Sequence, residues 1–306
     1  MVMSEKSSAS KASCAAACHA ADTAPSITLR LGDCLEILPT IPDGSTDLIL
    51  TDLPYNCLAK SSEGGKWDNA IPLDPLWNQF LRVAKHNAAI VLFAQGMFTA
   101  QLMMSQPRLY RYSLIWEKNN PSGFLNAYKM PMRCHEDILV FYRALPTYNP
   151  QMEKCEPHKR NHSRGDLSLR HVNRCYGAYR NTPTIITDEK FPRSILSFPK
   201  PHRKSHYHPT EKPVDLCRWL IRTYTNPGET VLDATLGSGT TGVAAALEGR
   251  GFYGIEKEAA YFEIAKRRIE EASAVGVRVE AQSDLHAPLK IPAPSAPTLV
   301  QGELFQ

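Results

Sequence analysis

Short apolar runs bounded by turn residues recur along the chain, and each reads as a buried strand. They are Ile27–Leu31, Asp47–Thr51, Ala89–Phe93, Ser113–Trp116, Ile138–Tyr142, Thr230–Asp233 and Phe252–Ile255. Between them the pattern predicts helices at 35–38, 74–86, 213–224 and 259–272, with another opening near Thr240. Strands alternating with helices imply an α/β fold built on a doubly wound, mostly parallel sheet. The alternation stops between 145 and 208, a polar stretch with little periodicity of either kind. Residues 1–25 are Ala/Ser-rich without an apolar stripe, and 286–306 are Pro-rich; both read as disordered tails.

At 306 residues the chain is long enough for one large α/β domain carrying an insertion. A hydrophobic content of 43% with 22% charged residues is ordinary for a soluble protein, and no run of eighteen apolar residues marks a membrane span. The eight cysteines are scattered without paired spacing, which fits a reducing, cytoplasmic compartment. Net charge is +4 but unevenly spread. Residues 145–208 carry twelve Lys/Arg against five Asp/Glu, leaving 23 against 26 elsewhere. A basic block in a slightly acidic body points to a polyanionic partner. The histidines of that block (158, 162, 171, 202, 206 and 208) lack the spacing of a zinc site, so no metal is expected.

Two strand ends carry chemistry. The run DLILTDLPYN (47–56) delivers Asp52, Pro54 and Tyr55 to the carboxyl end of its strand, where open α/β sheets bind ligands. A Pro-terminated turn explains the same residues without any function. The Gly-bearing loop Ser61–Trp67 behind it is placed to act as a lid. Far downstream, Asp233 ends a strand, Gly237-Ser-Gly-Thr-Thr-Gly242 opens a helix, and Glu256 ends the next strand. Glycines at G-x-G-x-x-G spacing let a ligand approach the backbone, the helix N-terminus offers N–H groups, and the acid grips ribose hydroxyls. That pattern serves a dinucleotide or another adenosine-bearing cofactor, so a nicotinamide oxidoreductase stays open on it alone. Its late place in the chain, its hydroxyl-rich loop and the upstream DLPYN tilt the choice away from a dinucleotide.

DLPYN (52–56), HPTEKP (208–213) and DATLGSGTT (233–241), in that order, resemble the β-class DNA amino-methyltransferases. GDCLEILPTIPDGSTDLILTDLPYN (32–56) and IWEKNNPSGFLNAYKMPMRCHEDILVFYR (115–143) extend the resemblance over roughly residues 26–272, apart from 145–190. Two departures stand out. Leu53 replaces the first proline of the family's D-P-P-Y, and Asp233-Ala234-Thr235 replaces its D-P-F. The resemblance implies a seven-stranded, circularly permuted, Rossmann-like methyltransferase sheet. It divides the chain into a tail (1–25), a catalytic half (26–144), a target-recognition insertion (145–205), an AdoMet-binding half (206–285) and a Pro-rich tail (286–306).

The implied reaction moves a methyl group from S-adenosylmethionine to the N6 amine of a flipped-out adenine in double-stranded DNA, as in restriction–modification. An aspartate at the start of the motif leans towards N6-adenine over N4-cytosine. The alternatives are an N4-cytosine enzyme and a catalytically silent DNA-binding regulator that retains AdoMet. In the implied site Asp52 and the Leu53 carbonyl accept hydrogen bonds from the amine, Pro54 belongs to the same turn, and Tyr55 stacks on the extruded base. Asp233, Thr235, Gly237, Gly239, Thr240 and Thr241 hold the methionine part of the cofactor, and Thr210 and Lys212 close that end. Glu256 takes the ribose and Asp33 the adenine, although Asp33 serves equally as a helix cap. Lys159, Arg160, Arg164, Arg170, Arg174 and Arg180 are candidates for DNA contacts. Gln301, Leu304 and Phe305 at the end of the chain resemble a sliding-clamp peptide, and a homodimer is a further expectation.

Overall fold

The computed structural model describes residues 25–55, 69–160, 170–173, 177–180, 185–201, 211–273 and 279–283. The first part of the chain forms β1 (Ile27–Leu31), α1 (Cys34–Ile37), β2 (Thr46–Thr51), α2 (Leu73–Val83), β3 (Ala84–Ala94), α3 (Met97–Ser105), β4 (Tyr110–Ser122) and β5 (Arg133–Phe141). Five short strands follow: β6 (Glu153–Arg160), β7 (Arg170–Asn173), β8 (Gly177–Arg180), β9 (Ile185–Lys190) and β10 (Ile195–Ser197). The remainder comprises α4 (Val214–Tyr224), β11 (Thr230–Asp233), α5 (Thr240–Leu247), β12 (Gly251–Glu256), α6 (Ala259–Ala272) and β13 (Val279–Ser283).

One large sheet runs in the order β10-β4-β5-β3-β2-β11-β12-β1-β13. All its ladders are parallel except those made by β5 with β3 and β4. The seven strands read from the sequence form its inner part. The expected count is nevertheless too low, because β10 and β13 extend the edges to nine strands. β10 is too short to stand out as an apolar run, and β13 (VEAQS) is half polar.

Strand geometry explains why these segments are almost continuously apolar. Successive side chains point to opposite faces, and both faces are covered. In β3, Ala89, Val91 and Phe93 join one core while Ile90, Leu92 and Ala94 join the other. In β5, Ile138 and Val140 are likewise separated from Leu139 and Phe141. One core is closed by α4, α5 and α6 through Leu216, Leu220, Ala244, Phe262 and Ile269. The other is closed by α2 and α3 through Leu76, Trp77, Phe80, Phe98 and Leu102.

Three features depart from the sequence expectation. Helix α2 ends at Val83, short of the expected 86, and strand β3 starts at Ala84 directly after it; the exposed residues Lys85, His86 and Asn87 hide this part of the strand in the sequence. Helix α3 was not predicted; MFTAQLMMS has no apolar stripe, and only Phe98 and Leu102 of it are buried. The basic region contains two antiparallel ribbons, β6 with β9 and β7 with β8. Lys154 reaches across the first ribbon to Asp188 at 3.2 Å and Glu189 at 3.1 Å. Among the described residues, no helix is long and apolar enough to cross a membrane.

Candidate active site

The strand order reverses between β2 and β11: β3 lies beyond one and β12 beyond the other. A crevice opens at the carboxyl ends of strands at such a switch point. Asp52 follows β2 and Asp233 closes β11, and the two strands pair through Leu48–Val231 and Ile49–Leu232. A cavity of about 420 Å³ lies there, lined by Asp33, Asp52 to Tyr55, Glu136, Lys212, Asp233 to Ser238, Thr240, Thr241 and Glu256, among others. Two motifs some 180 residues apart therefore wall one pocket of a size suited to a small ligand.

Hydroxyl groups lock the two strand ends together. Thr51 Oγ1 donates to Asp233 Oδ1 at 2.7 Å and lies 2.7 Å from Thr235 Oγ1. With the Thr51 proton given to Asp233, the Thr235 proton is shared between the Thr51 oxygen and the Asp52 carbonyl, 3.0 Å away. The Thr235 backbone N–H also donates to Asp233, at 3.1 Å. This accounts for both departures from the family pattern. Leu53 has no proline ring to stiffen the turn and is instead buried in the same core as Leu92 and Phe98, while Thr235 fixes the peptide before it.

Beside this clamp lies a charged array. Lys212 Nζ donates to Asp52 Oδ2, and Tyr55 donates its phenol proton to Asp52 Oδ1 at 2.7 Å. The same ammonium lies 3.3 Å from Glu136 Oε2, whose other oxygen accepts from Lys118. Glu136 Oε2 is buried and accepts no well-aligned hydrogen bond. Burial opposes the charge on Lys212, but Asp52 and Glu136 together outweigh it and hold the ammonium above the ordinary lysine range. Burial also works against the Glu136 carboxylate, yet Lys212 and Lys118 keep it below the usual range. Among the described residues, the one cation on Asp52 is the lysine it shares with Glu136. Burial raises its carboxyl, Lys212 pulls it down, and nearby Glu136 pushes it up again, leaving it above the usual value. Tyr55 packs one face against Phe98, with ring centroids 5.2 Å apart.

The glycine loop completes the opposite wall. Gly237 and Gly239 adopt positive φ, and a Cβ on Gly239 would sit 2.8 Å from Ala265 Cα, so glycine is required there. A Cβ on Gly237 would meet nothing within 4 Å. Thr240 Oγ1 is buried without a hydrogen-bond partner, a donor set for a ligand acceptor. Glu256 accepts from the Gly237 N–H at 2.6 Å and the Glu258 N–H at 2.8 Å. Burial nevertheless pushes its carboxyl up to about 7. Asp233 is raised by burial to about 6, against the donors from Thr51, Thr241 and the Thr235 N–H. Arg268 ties this loop to the segment before Lys212, donating to the Ser238 carbonyl and to Glu211, both at 2.6 Å.

The cavity thus gathers Asp33, Asp52, Leu53, Pro54, Tyr55, Lys212, Asp233, Thr235, Gly237, Thr240, Thr241 and Glu256, with Gly239 at the start of α5. Lys212, grouped by the resemblance with the cofactor end, lines the cavity and has its ammonium on Asp52 and Glu136. Asp33 caps α1 through the Leu35 N–H at 2.9 Å, and it lines the cavity, where it also accepts from Lys257 at 2.9 Å. Lys159 is exposed on β6, while for Arg160, Arg170 and Arg180 only the backbone is described. Arg164, Arg174, Thr210, the loop 61–67 and the residues Gln301, Leu304 and Phe305 lie outside the described residues. Among the described residues, no group of side chains has the makings of a metal site. Sequence reasoning missed Glu136 and Lys118. Glu136 stands near the start of β5, and only knowing that β5 is antiparallel puts that start at the ligand-binding edge.

A family model described as DNA methylase matches residues 46–267. Type II methyltransferase M.HinfI of Haemophilus influenzae is 26% identical over 91% of this chain and 77% of its own length. DNA adenine methyltransferase YhdJ of Escherichia coli (strain K12) is 29% identical over 80% of this chain and 83% of its own. Among solved structures, the M1.HpyAVI–SAM complex shares the fold with a TM-score of 0.52 at 22% identity, over 79% of this chain and 98% of its own.

Glu256 generates a pH prediction. Its carboxyl titrates at about 7 in the fold against 4.5 ordinarily, so between those values the folded chain binds a proton that the unfolded chain has lost. Stability contributed by that proton is full below the lower value and disappears as pH rises through the upper one. The thermal midpoint of the wild type should fall over this window, and Glu256→Gln should flatten the slope, leaving the part owed to Asp233. An unchanged slope in the variant would show that Glu256 is not the titrating group.

Proposed function

We propose, from the premise that the chain belongs to the DNA methylase family, that it methylates N6 of an adenine extruded from double-stranded DNA, using S-adenosylmethionine. The observation that carries this reading is the single cavity shared by Asp52 and the glycine loop. The residues present fit the cofactor: an unpartnered buried hydroxyl on Thr240, open space over Gly237, and a strand-end carboxylate on Glu256. Glu256 is held by loop N–H groups that ribose hydroxyls can complement. Bound there, the cofactor supplies an electrophilic methyl group on a sulfonium.

The chain's own work is to make a poor nucleophile attack. The adenine amine is weak because its lone pair is delocalised into the ring. Accepting its N–H bonds at Asp52 and at the Leu53 carbonyl draws the nitrogen out of conjugation, and a neighbouring carboxylate stabilises the cation that develops. A carboxyl raised above its ordinary range is also a competent acceptor for the proton that the amine must lose. Lys212 keeps Asp52 and Glu136 in place without removing either acceptor. Tyr55, oriented by its bond to Asp52, lines the cavity where the base would stack. Adenine as the target is supported by Asp52 itself and by the similarity to the DNA adenine methyltransferase YhdJ. The ribbons of the basic region, with exposed Lys159, support 145–205 as the segment that meets DNA.

Labelled-methyl incorporation into DNA from methylation-deficient cells tests the reading. Asp52→Ala should lower the rate roughly a thousandfold while cofactor binding, measured by calorimetry, persists. Wild-type protein that binds AdoMet and DNA without incorporation would make it the silent regulator. N4-methylcytosine as the product would overturn the choice of base. A separate variant probes the turn: Thr235→Val should slow turnover about fivefold, as expected for about 1 kcal/mol of lost positioning. Thr235→Ser should restore the rate; if it does not, the bond to the Asp52 carbonyl is not what matters.

A further inference from the structure

Apolar side chains gather at the tip of the β4–β5 hairpin. Phe124 is 69% exposed, Leu125 81% and Met130 57%, and Tyr128 is wholly exposed. A lone exposed apolar residue needs no explanation, but a group of this size on one connection marks a surface built for a partner.

The place of the hairpin says what partner. β3 and β4 are each antiparallel to β5, so β4 runs parallel to β2 and leaves the sheet at the edge that carries Asp52. Its return strand re-enters at the cavity: Glu136, three residues after Arg133, lines the pocket. Ser122 still pairs with Arg133, and Gln95 donates to the His135 carbonyl at 3.3 Å, so the stem is tied to the site up to the turn. From Lys118 to His135 the chain has no acidic residue, and Lys129 and Arg133 are exposed beside the apolar tip. A second copy of the chain related by a twofold axis would bring the same cations near each other, which disfavours a self-interface. Apolar side chains flanked by cations, next to a pocket for an extruded base, match the chemistry of a wedge between base pairs.

Resting on the adenine-methylation reading, we infer that this tip enters duplex DNA at the target step. Phe124 and Leu125 fill the stack where the base has left, and Lys129 and Arg133 hold the flanking phosphates.

Sequencing modified bases in DNA from cells expressing the wild-type enzyme gives the target context, and a duplex with 2-aminopurine at that position reports extrusion by brightening. The Phe124→Ala/Leu125→Ala variant, with wild-type cofactor affinity and sedimentation, should brighten about fivefold less or worse on the matched duplex. Removing the base opposite the target lowers the cost of extrusion and should restore most of the signal. Lys129→Ala and Arg133→Ala should each reduce the salt slope of DNA binding by about one. Unchanged brightening, an equal loss on both duplexes, or a dimer broken by the variant overturns the wedge. Absence of any modified base in the first step instead removes the methylation reading on which the wedge rests.

Discussion

Two partly buried carboxylates face one cavity, and one ammonium is shared between them. Without Lys212, Glu136 would still have Lys118, but Asp52 would stand beside it in a poorly solvated wall without its cation and would be driven to take up a proton. With it, Glu136 keeps its charge through two lysines and Asp52 is left as the weaker, more basic partner. The site therefore offers acceptors of unequal basicity at one place.

The sheet supplies the address for this chemistry. A switch in strand order sets β2 against β11, and covered faces on both sides make the strands rigid. Thr51, Asp233 and Thr235 then join the two strand ends by hydrogen bonds across the crevice. Two residues that depart from the family pattern thus belong to one structural solution. Leu53 anchors its turn by burial, and Thr235 restrains the peptide that a proline ring would otherwise stiffen.

Much of this was legible in the sequence. Apolar runs ending in Asp52, Asp233 and Glu256 located the inner strands and the edge that binds ligands, because a strand buried on both faces leaves an unmistakable run of residues. Strand direction left no such trace. Glu136 could not be assigned to the pocket without knowing that β5 returns antiparallel, and Lys212 could not be paired with Asp52 from spacing alone. The ribbons of the basic region were illegible for another reason: backbone pairing and charge, not apolar alternation, define them. Helix α3 was hidden because so little of it is buried.

The central claim is geometric, and a crystal structure of the enzyme with its target duplex and a non-reactive cofactor analogue tests it most directly. The account predicts an extruded adenine with its exocyclic nitrogen about 3 Å from the Asp52 carboxylate, and the analogue's sulfur end beside Gly237. An adenine left stacked in the duplex, or an extruded base whose amine lies out of reach of Asp52, would contradict it.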